Sequence, residues 1–165
     1  MPEFTNETPF DETDNRLQIA QGYYELGMLE DAWTELEVAE QEMPKNPLAL
    51  QLRILLLLKE RKWDDALELA SQLRASDPHD GSGYIHGAFC LHEMQQTQAA
   101  IALLESAPEH LRNEAIFFYN LGCYRSALGE LTSARECLRK SFDLDQRLLD
   151  IARKDPDLES LRDAI

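Results

Sequence analysis

Two histidines and a cysteine lie close together in the stretch GSGYIHGAFCLHE, residues 81–93. His86 and Cys90 are four residues apart, a spacing that places both on one face of a helix and is compatible with zinc ligation. His92 lies six residues beyond His86 and therefore points away from that face. We expect a packed thiol and surface-lining histidines here, and no metal site.

The same stretch begins with G-x-G-x-x-x-G, which is similar to a phosphate-binding glycine loop. That loop needs G-x-G-x-x-G between a strand and a helix, whereas this one follows a predicted helix. No serine stands in a readable pattern with a histidine and a third orienting group, as an activated nucleophile would require. The sequence therefore predicts no catalytic residue and no cofactor, and we do not expect an enzyme.

The net charge excludes some classes of binding partner. The chain has 165 residues, with 31 acidic against 16 basic side chains and a net charge of -15. Such a surface repels nucleic acid and anionic membranes, while it attracts basic proteins. The repulsion excludes nucleic acid as a partner. Solubility is the simpler reason for the excess of acidic side chains, but a basic protein partner remains an alternative.

The distribution of apolar residues and cysteines indicates a cytoplasmic globular protein. The longest apolar run, 54–58, is far shorter than the roughly 20 residues that cross a bilayer. The first residues lack the basic and apolar regions of a signal peptide. Cys90, Cys123 and Cys137 form no CxxC pair, which favours reduced thiols.

A repeat of 34 residues organises the chain, and no insertion interrupts it between residues 13 and 148. Glycines at residues 27 and 129 occupy the same position of the outer frames, where a turn between two helices would fall. Within each frame the apolar residues recur at three- and four-residue spacing, which predicts two amphipathic helices. One helix pair cannot bury its apolar faces alone, so neighbouring pairs must stack. Frame position 20 always holds a small residue: Ala32, Ala66, Ala100 and Ala134.

The recurring small and apolar positions of the 34-residue frame resemble those of a known repeat family. The stretches GYYELGMLEDAWTELEVAEQEMP and FFYNLGCYRSALGELTSARECLRKSFDLD resemble tetratricopeptide repeats. The resemblance implies an all-α fold, a right-handed superhelical solenoid of helix-turn-helix repeats. It divides the chain into an acidic N-terminal tail, four repeats and C-terminal capping helices, with a helix break expected at Asp155-Pro156. The expected boundaries are 1–12 for the tail, 13–46, 47–80, 81–114 and 115–148 for the repeats, and 149–165 for the cap.

In this family the first helix of each repeat lines a concave channel, and positions 2, 5, 6, 9, 12 and 13 face into it. The resemblance therefore implies a peptide-binding groove that is largely apolar and aromatic, with a few groups that hydrogen-bond. Its residues here are Leu17, Gln21, Tyr24, Leu48, Leu52, Leu55, Leu58, Ile85, His86, Phe89, His92, Ile116, Tyr119, Asn120 and Cys123.

Such a groove suits a peptide or amphipathic helix with apolar anchors, so we expect a protein-protein scaffold or adaptor. The carboxylate clamp of chaperone-binding members is absent, since its positions hold Leu17, Gln21, Leu52, Ser82 and His86.

Three alternatives to partner binding in the groove remain open. It could be filled by the chain's own N-terminal residues, through Phe4 and Phe10. A second copy could fill it, which would make the protein a self-associating structural module. Tight curvature could also close it. A chaperone for an apolar segment of a secreted protein is a variant of the scaffold hypothesis.

Overall fold

The computed structural model describes residues 12–164, so Phe4 and Phe10 lie outside the described part of the chain. Every regular element within that range is a helix, and the predicted all-α fold class is confirmed. The elements are α1 (Glu12–Glu25), α2 (Leu29–Glu42), α3 (Pro47–Lys59), α4 (Trp63–Ser76), α5 (Ser82–Glu93), α6 (Thr97–Glu105), α7 (Glu109–Arg112), α8 (Ala115–Ala127), α9 (Leu131–Leu144), α10 (Arg147–Ala152) and a terminal 3₁₀ helix (Pro156–Ala164).

The long helices begin at the points that the 34-residue period predicts. Helices α1, α3, α5 and α8 each start within one residue of a frame boundary. At α3 the side chain of Asn46 accepts hydrogen bonds from the backbone N–H groups of Leu48 (2.9 Å) and Ala49 (3.4 Å), and Pro47 opens the helix. Asn46 and Pro47 thus form an N-terminal cap, which satisfies donors that the first turn leaves unpaired.

The turns within repeats share one backbone conformation even where the residue type differs. Gly27 and Gly129 have positive φ angles of 75° and 79°, and Arg61 and Gln95 adopt 59° and 63° at the matching positions. At Gly129 the N–H groups of residues 129 and 130 bond back to the carbonyls of Ser126 and Arg125. The pairs at Gly27 and Gln95 are the same, and they terminate the preceding helix in a Schellman motif.

The first compact unit ends at Arg61 and contains α1, α2 and α3. Small residues let its helices approach closely, since Ala20, Ala32 and Ala39 are fully buried. Leu36 and Leu56 fill the space between them. Trp33 adds a polar anchor, because its indole N–H donates to a Glu60 carboxylate oxygen at 2.7 Å.

The second unit spans residues 62–165 and holds the remaining helices. Glycines allow its helices to approach closely. A Cβ on Gly83 would lie 2.9 Å from the carbonyl oxygen of Ala70, and one on Gly122 would lie 2.7 Å from Cγ of Leu138. Helix α6 ends early, at Glu105, since Pro108 follows shortly after, and the short helix α7 occupies the rest of that frame.

Candidate functional site

In the first unit, a pocket of about 300 Å³ opens between α1 and α3. Its buried floor is formed by Leu17 and Leu52, whereas Leu48 at the rim is 59% exposed. All its lining residues occupy positions 2, 5, 6 or 9 of their frames, which the family rule assigns to the channel. They are Leu17, Gln18, Gln21, Leu48, Gln51, Leu52 and Leu55.

The polar part of this pocket consists of uncharged amides. Gln21 donates to a Glu25 carboxylate oxygen at 3.0 Å, which fixes the direction of its amide. Beyond the pocket, the Lys59 ammonium lies 5.6 Å from the centre of the Tyr24 ring. Tyr24 and Leu58, both predicted groove residues, are half-buried and do not line the pocket.

In the second unit, the predicted groove residues of α5 are half-buried. Phe89 packs edge-on against Trp63, with ring centres 5.8 Å apart, and Ile85 packs against the core. Burial lowers the pKa of His86, and the nearby carboxylate of Asp80 opposes that shift only in part. This histidine is therefore neutral at pH 7, which suits a hydrogen-bonding role better than a charged one.

On α8, Asn120 is engaged within its own helix. Its amide donates to the carbonyl oxygen of Ile116 at 2.8 Å, and its amide oxygen accepts from Tyr124 at 3.4 Å. A partner backbone would have to compete with both bonds. Ile116 itself is 37% exposed and thus accessible.

The other predicted groove residues of α8 are covered by the chain's own C-terminal residues. We call residues 153–164 the terminal segment. Tyr119 donates its hydroxyl proton to Asp155 at 2.7 Å, and the Cys123 thiol lies 3.7 Å from the same carboxylate oxygen. Ser126 and Ser160 share a hydrogen bond of 3.3 Å. The segment therefore occupies frame positions 5, 9 and 12 of the last repeat.

His92 on α5 is the fourth contact with the terminal segment. Its Nε2 lies 3.3 Å from a carboxylate oxygen of Asp157, and its Nδ1 lies 3.0 Å from the hydroxyl of Thr97. The imidazole also stacks on Tyr124 of α8, with ring centres 4.8 Å apart. The hydrogen bond that the His92 imidazole donates to the Asp157 carboxylate raises the pKa of His92. Two further carboxylates act on it in the same direction, Glu93 of α5 and Asp155 of the terminal segment.

The two histidines of α5 are expected to have pKa values on opposite sides of 6.5, with that of His92 above and that of His86 below. NMR titration of the imidazole protons measures both pKa values in one sample. The His92–Asp157 pair then contributes stability below pH 6.5 that is lost as the pH rises through the raised pKa. Asp157→Asn should lower the pKa of His92 and leave that of His86 in place. A His92 pKa at or below 6.5 in the unmodified protein would contradict the ion pair.

Sequence reasoning placed Tyr119 and Cys123 on the channel but missed the residues that cover them. The missed residues are Asp155 and Asp157, which flank Pro156. An Asp-Pro-Asp motif after the last repeat was the available signal, and by itself it indicates only a helix break. Leu158 and Leu161 belong to the predicted C-terminal cap. Both are fully buried in the core of the second unit, where the terminal helix packs against α8.

Residues 12–164 contain neither a cluster of metal ligands nor a membrane-spanning helix. No three His, Cys, Asp or Glu side chains in that range are grouped so that they could share a metal ion. Cys90, one of the residues considered for zinc, is fully buried, and burial raises its pKa to about 11. None of the helices in the described range is both long enough and apolar enough to span a bilayer.

Comparison with known proteins points to one family. Residues 57–117 match the family model of the tetratricopeptide repeat. A thermophilic tetratricopeptide repeat protein of Thermus thermophilus is similar in structure, with a TM-score of 0.73 and 25% identity over 81% of this chain and 75% of that one. MamA from Desulfovibrio magneticus is similar in fold, with a TM-score of 0.67 and 19% identity over 87% of this chain and 81% of that one. No curated protein sequence matches.

Proposed function

Because this chain is a tetratricopeptide repeat protein, we propose that it is a non-catalytic scaffold that holds a segment of a partner protein against the first helices of its repeats. Proteins of this family generally act as scaffolds for protein-protein interaction rather than as enzymes. The pocket between α1 and α3 is the binding position that we assign to the first unit.

One observation carries this proposal: the pocket combines an apolar floor with a rim of amides. Leu17 and Leu52 form the floor, and the rim includes Gln18 and Gln21. An apolar surface with a few hydrogen-bonding groups is typical of ligand sites, and a pocket of about 300 Å³ is at the small end of their range of about 300–1,000 Å³. It is therefore suited to one or two side chains of a peptide.

The chemistry of the rim defines the segment. Glutamine amides both donate and accept hydrogen bonds, as a peptide backbone requires, whereas they provide no counter-charge for an ion. Leucines on the floor favour an aliphatic side chain. We therefore propose a partner segment with leucine-like anchors, bound as an amphipathic helix or an extended chain.

The test uses peptides selected from a random library displayed on phage, followed by measurement of Kd for each selected peptide. Leu48→Glu places a charge at the pocket rim and should weaken binding about 10- to 100-fold, since burying one leucine contributes about 1.5–3 kcal/mol. The matched control is Leu26→Glu in the same unit, because Leu26 is 75% exposed and lies outside the pocket. It should leave Kd unchanged.

Two outcomes would overturn the proposal. Equal Kd values for Leu48→Glu and the unmodified protein would place the bound peptide elsewhere. Sedimentation provides the second test, since a dimer of the unmodified protein that Leu48→Glu dissociates would identify a second copy as the occupant. The protein would then be a self-associating module.

A further inference from the structure

The terminal segment contributes Leu158 and Leu161 to the core of the second unit, although its own internal structure is weak. Its helix is a 3₁₀ helix of nine residues, and 3₁₀ runs beyond three or four residues are uncommon because their hydrogen bonds are poorly aligned. Pro156 opens it and has no N–H to donate. Its order therefore depends on side-chain contacts with α5 and α8, and it is suited to local opening.

The groups that hold the segment are hydrogen-bond donors facing carboxylates. The Tyr119 hydroxyl and the Cys123 thiol meet Asp155, and the His92 imidazole meets Asp157 two residues later. Apolar contacts follow in the order of the chain, since Leu158 and Leu161 are buried three residues apart. This surface thus recognises a carboxylate, a second carboxylate two residues on, and two aliphatic side chains.

We propose that this surface of α5 and α8 is a docking site for an acidic segment of a partner protein, and that the terminal segment is its built-in competitor. The inference rests on the proposed function, since it assumes that the channel positions bind protein segments. The partner segment presents the same groups in the same order: Asp, any residue, Asp, then aliphatic residues three apart.

The net charge of the chain explains why the competing segment is part of the same chain. A free acidic segment approaches a protein of net charge -15 against electrostatic repulsion. A segment joined by a short linker has an effective concentration in the millimolar range, which outweighs that repulsion. The docking surface is therefore closed at rest, and a partner must bring contacts beyond the acidic motif to displace the segment.

Two cysteines distinguish opening of the terminal segment from unfolding of the core. Cys123 is 3% exposed beneath Asp155, and burial raises its pKa, so it reacts with a thiol reagent only when the terminal segment leaves. Cys90 is fully buried in α5 and reports the loss of the whole core. Labelling with iodoacetamide, followed by mass spectrometry of the peptides, measures both rates in the full chain.

Asp155→Ala removes the acceptor of the Tyr119 hydroxyl, which favours the open state because a buried donor without a partner is costly. We expect the labelling rate of Cys123 to rise at least tenfold while that of Cys90 is unchanged. Glu159→Ala is the matched control, since it removes one carboxylate from an exposed position of the same segment. An equal rise at both cysteines would show that the segment is an integral part of the fold, and would overturn the proposal.

The second arm tests docking with a labelled synthetic peptide of sequence RKDPDLESLRDAI. It should bind the Asp155→Ala protein at least tenfold more tightly than the unmodified protein, and a peptide with both of its first two aspartates changed to asparagine should bind neither. Equal binding of the two peptides would overturn the docking site. Because this arm probes α5 and α8, it can fail while library peptides still lose affinity to Leu48→Glu. In that case the function proposed for the first unit stands.

Discussion

Phe117→Ala is expected to lower the free energy of unfolding by about 3–5 kcal/mol, the usual loss for a buried phenylalanine. The Phe117 side chain is 0% exposed and belongs to the core of the second unit. A Cβ added to Gly81 would lie only 3.2 Å from the Phe117 ring, so the surroundings of the ring are closely packed. Urea denaturation followed by circular dichroism measures the change.

The adjacent residue provides the control for that measurement. Phe118 is half-buried, and the ammonium of Lys140 lies 5.4 Å from its ring centre at the surface. Phe118→Ala removes the same atoms from the same helix, yet much of the ring was already in contact with water. We expect the free energy of unfolding to fall by about 1 kcal/mol, which is the size of a cation–π interaction at the protein surface. Equal losses for the two variants would mean that α8 is rotated about its axis.

Gly122→Ala is expected to destabilise the protein, although alanine is the better helix former. The new Cβ would lie 2.7 Å from Cγ and 2.8 Å from Cδ2 of Leu138, a core residue that is 2% exposed. Overpacking of this kind costs about 1–3 kcal/mol. That cost exceeds the gain in helix propensity, which is up to about 1 kcal/mol.

Gly22→Ala should have the opposite effect and raise the free energy of unfolding. Gly22 lies within α1, and a Cβ there would meet no atom within 4 Å, so only the gain in propensity remains. A second control is Leu138→Ala, which removes the clashing atoms. In that background Gly122→Ala should cost little or should stabilise, because contacting residues are not additive. A loss that persisted there would contradict the packing argument.

Sequence periodicity predicted much of the fold, for a physical reason. Helix boundaries depend on local signals, such as the Asn46 cap and the glycines at 27 and 129, and these can be recognised in the sequence. Fully buried Ala32, Ala66, Ala100 and Ala134 mark close helix approaches at one position of every frame. These features are local or repeated, so one chain contains enough examples to recognise them.

The candidate sites could be predicted only in part. The family rule gave the residues of the first pocket, but it could not show that Tyr119 and Cys123 are covered. Their partner Asp155 lies 36 and 32 residues away, beyond the reach of the repeat. Nor could periodicity decide which of two adjacent phenylalanines is buried, since that depends on the rotation of α8 within the core.

The turn at Gln95 has a consequence for heat resistance. Gln95 and Arg61 adopt the same left-handed backbone that glycine adopts at 27 and 129, and for residues with a Cβ this costs roughly 1 kcal/mol each. Both are exposed. Two surface turns of the chain thus carry a backbone cost that glycine avoids at the same position of the outer frames. A glycine in place of Gln95 removes that cost, so the protein should then unfold at a higher temperature.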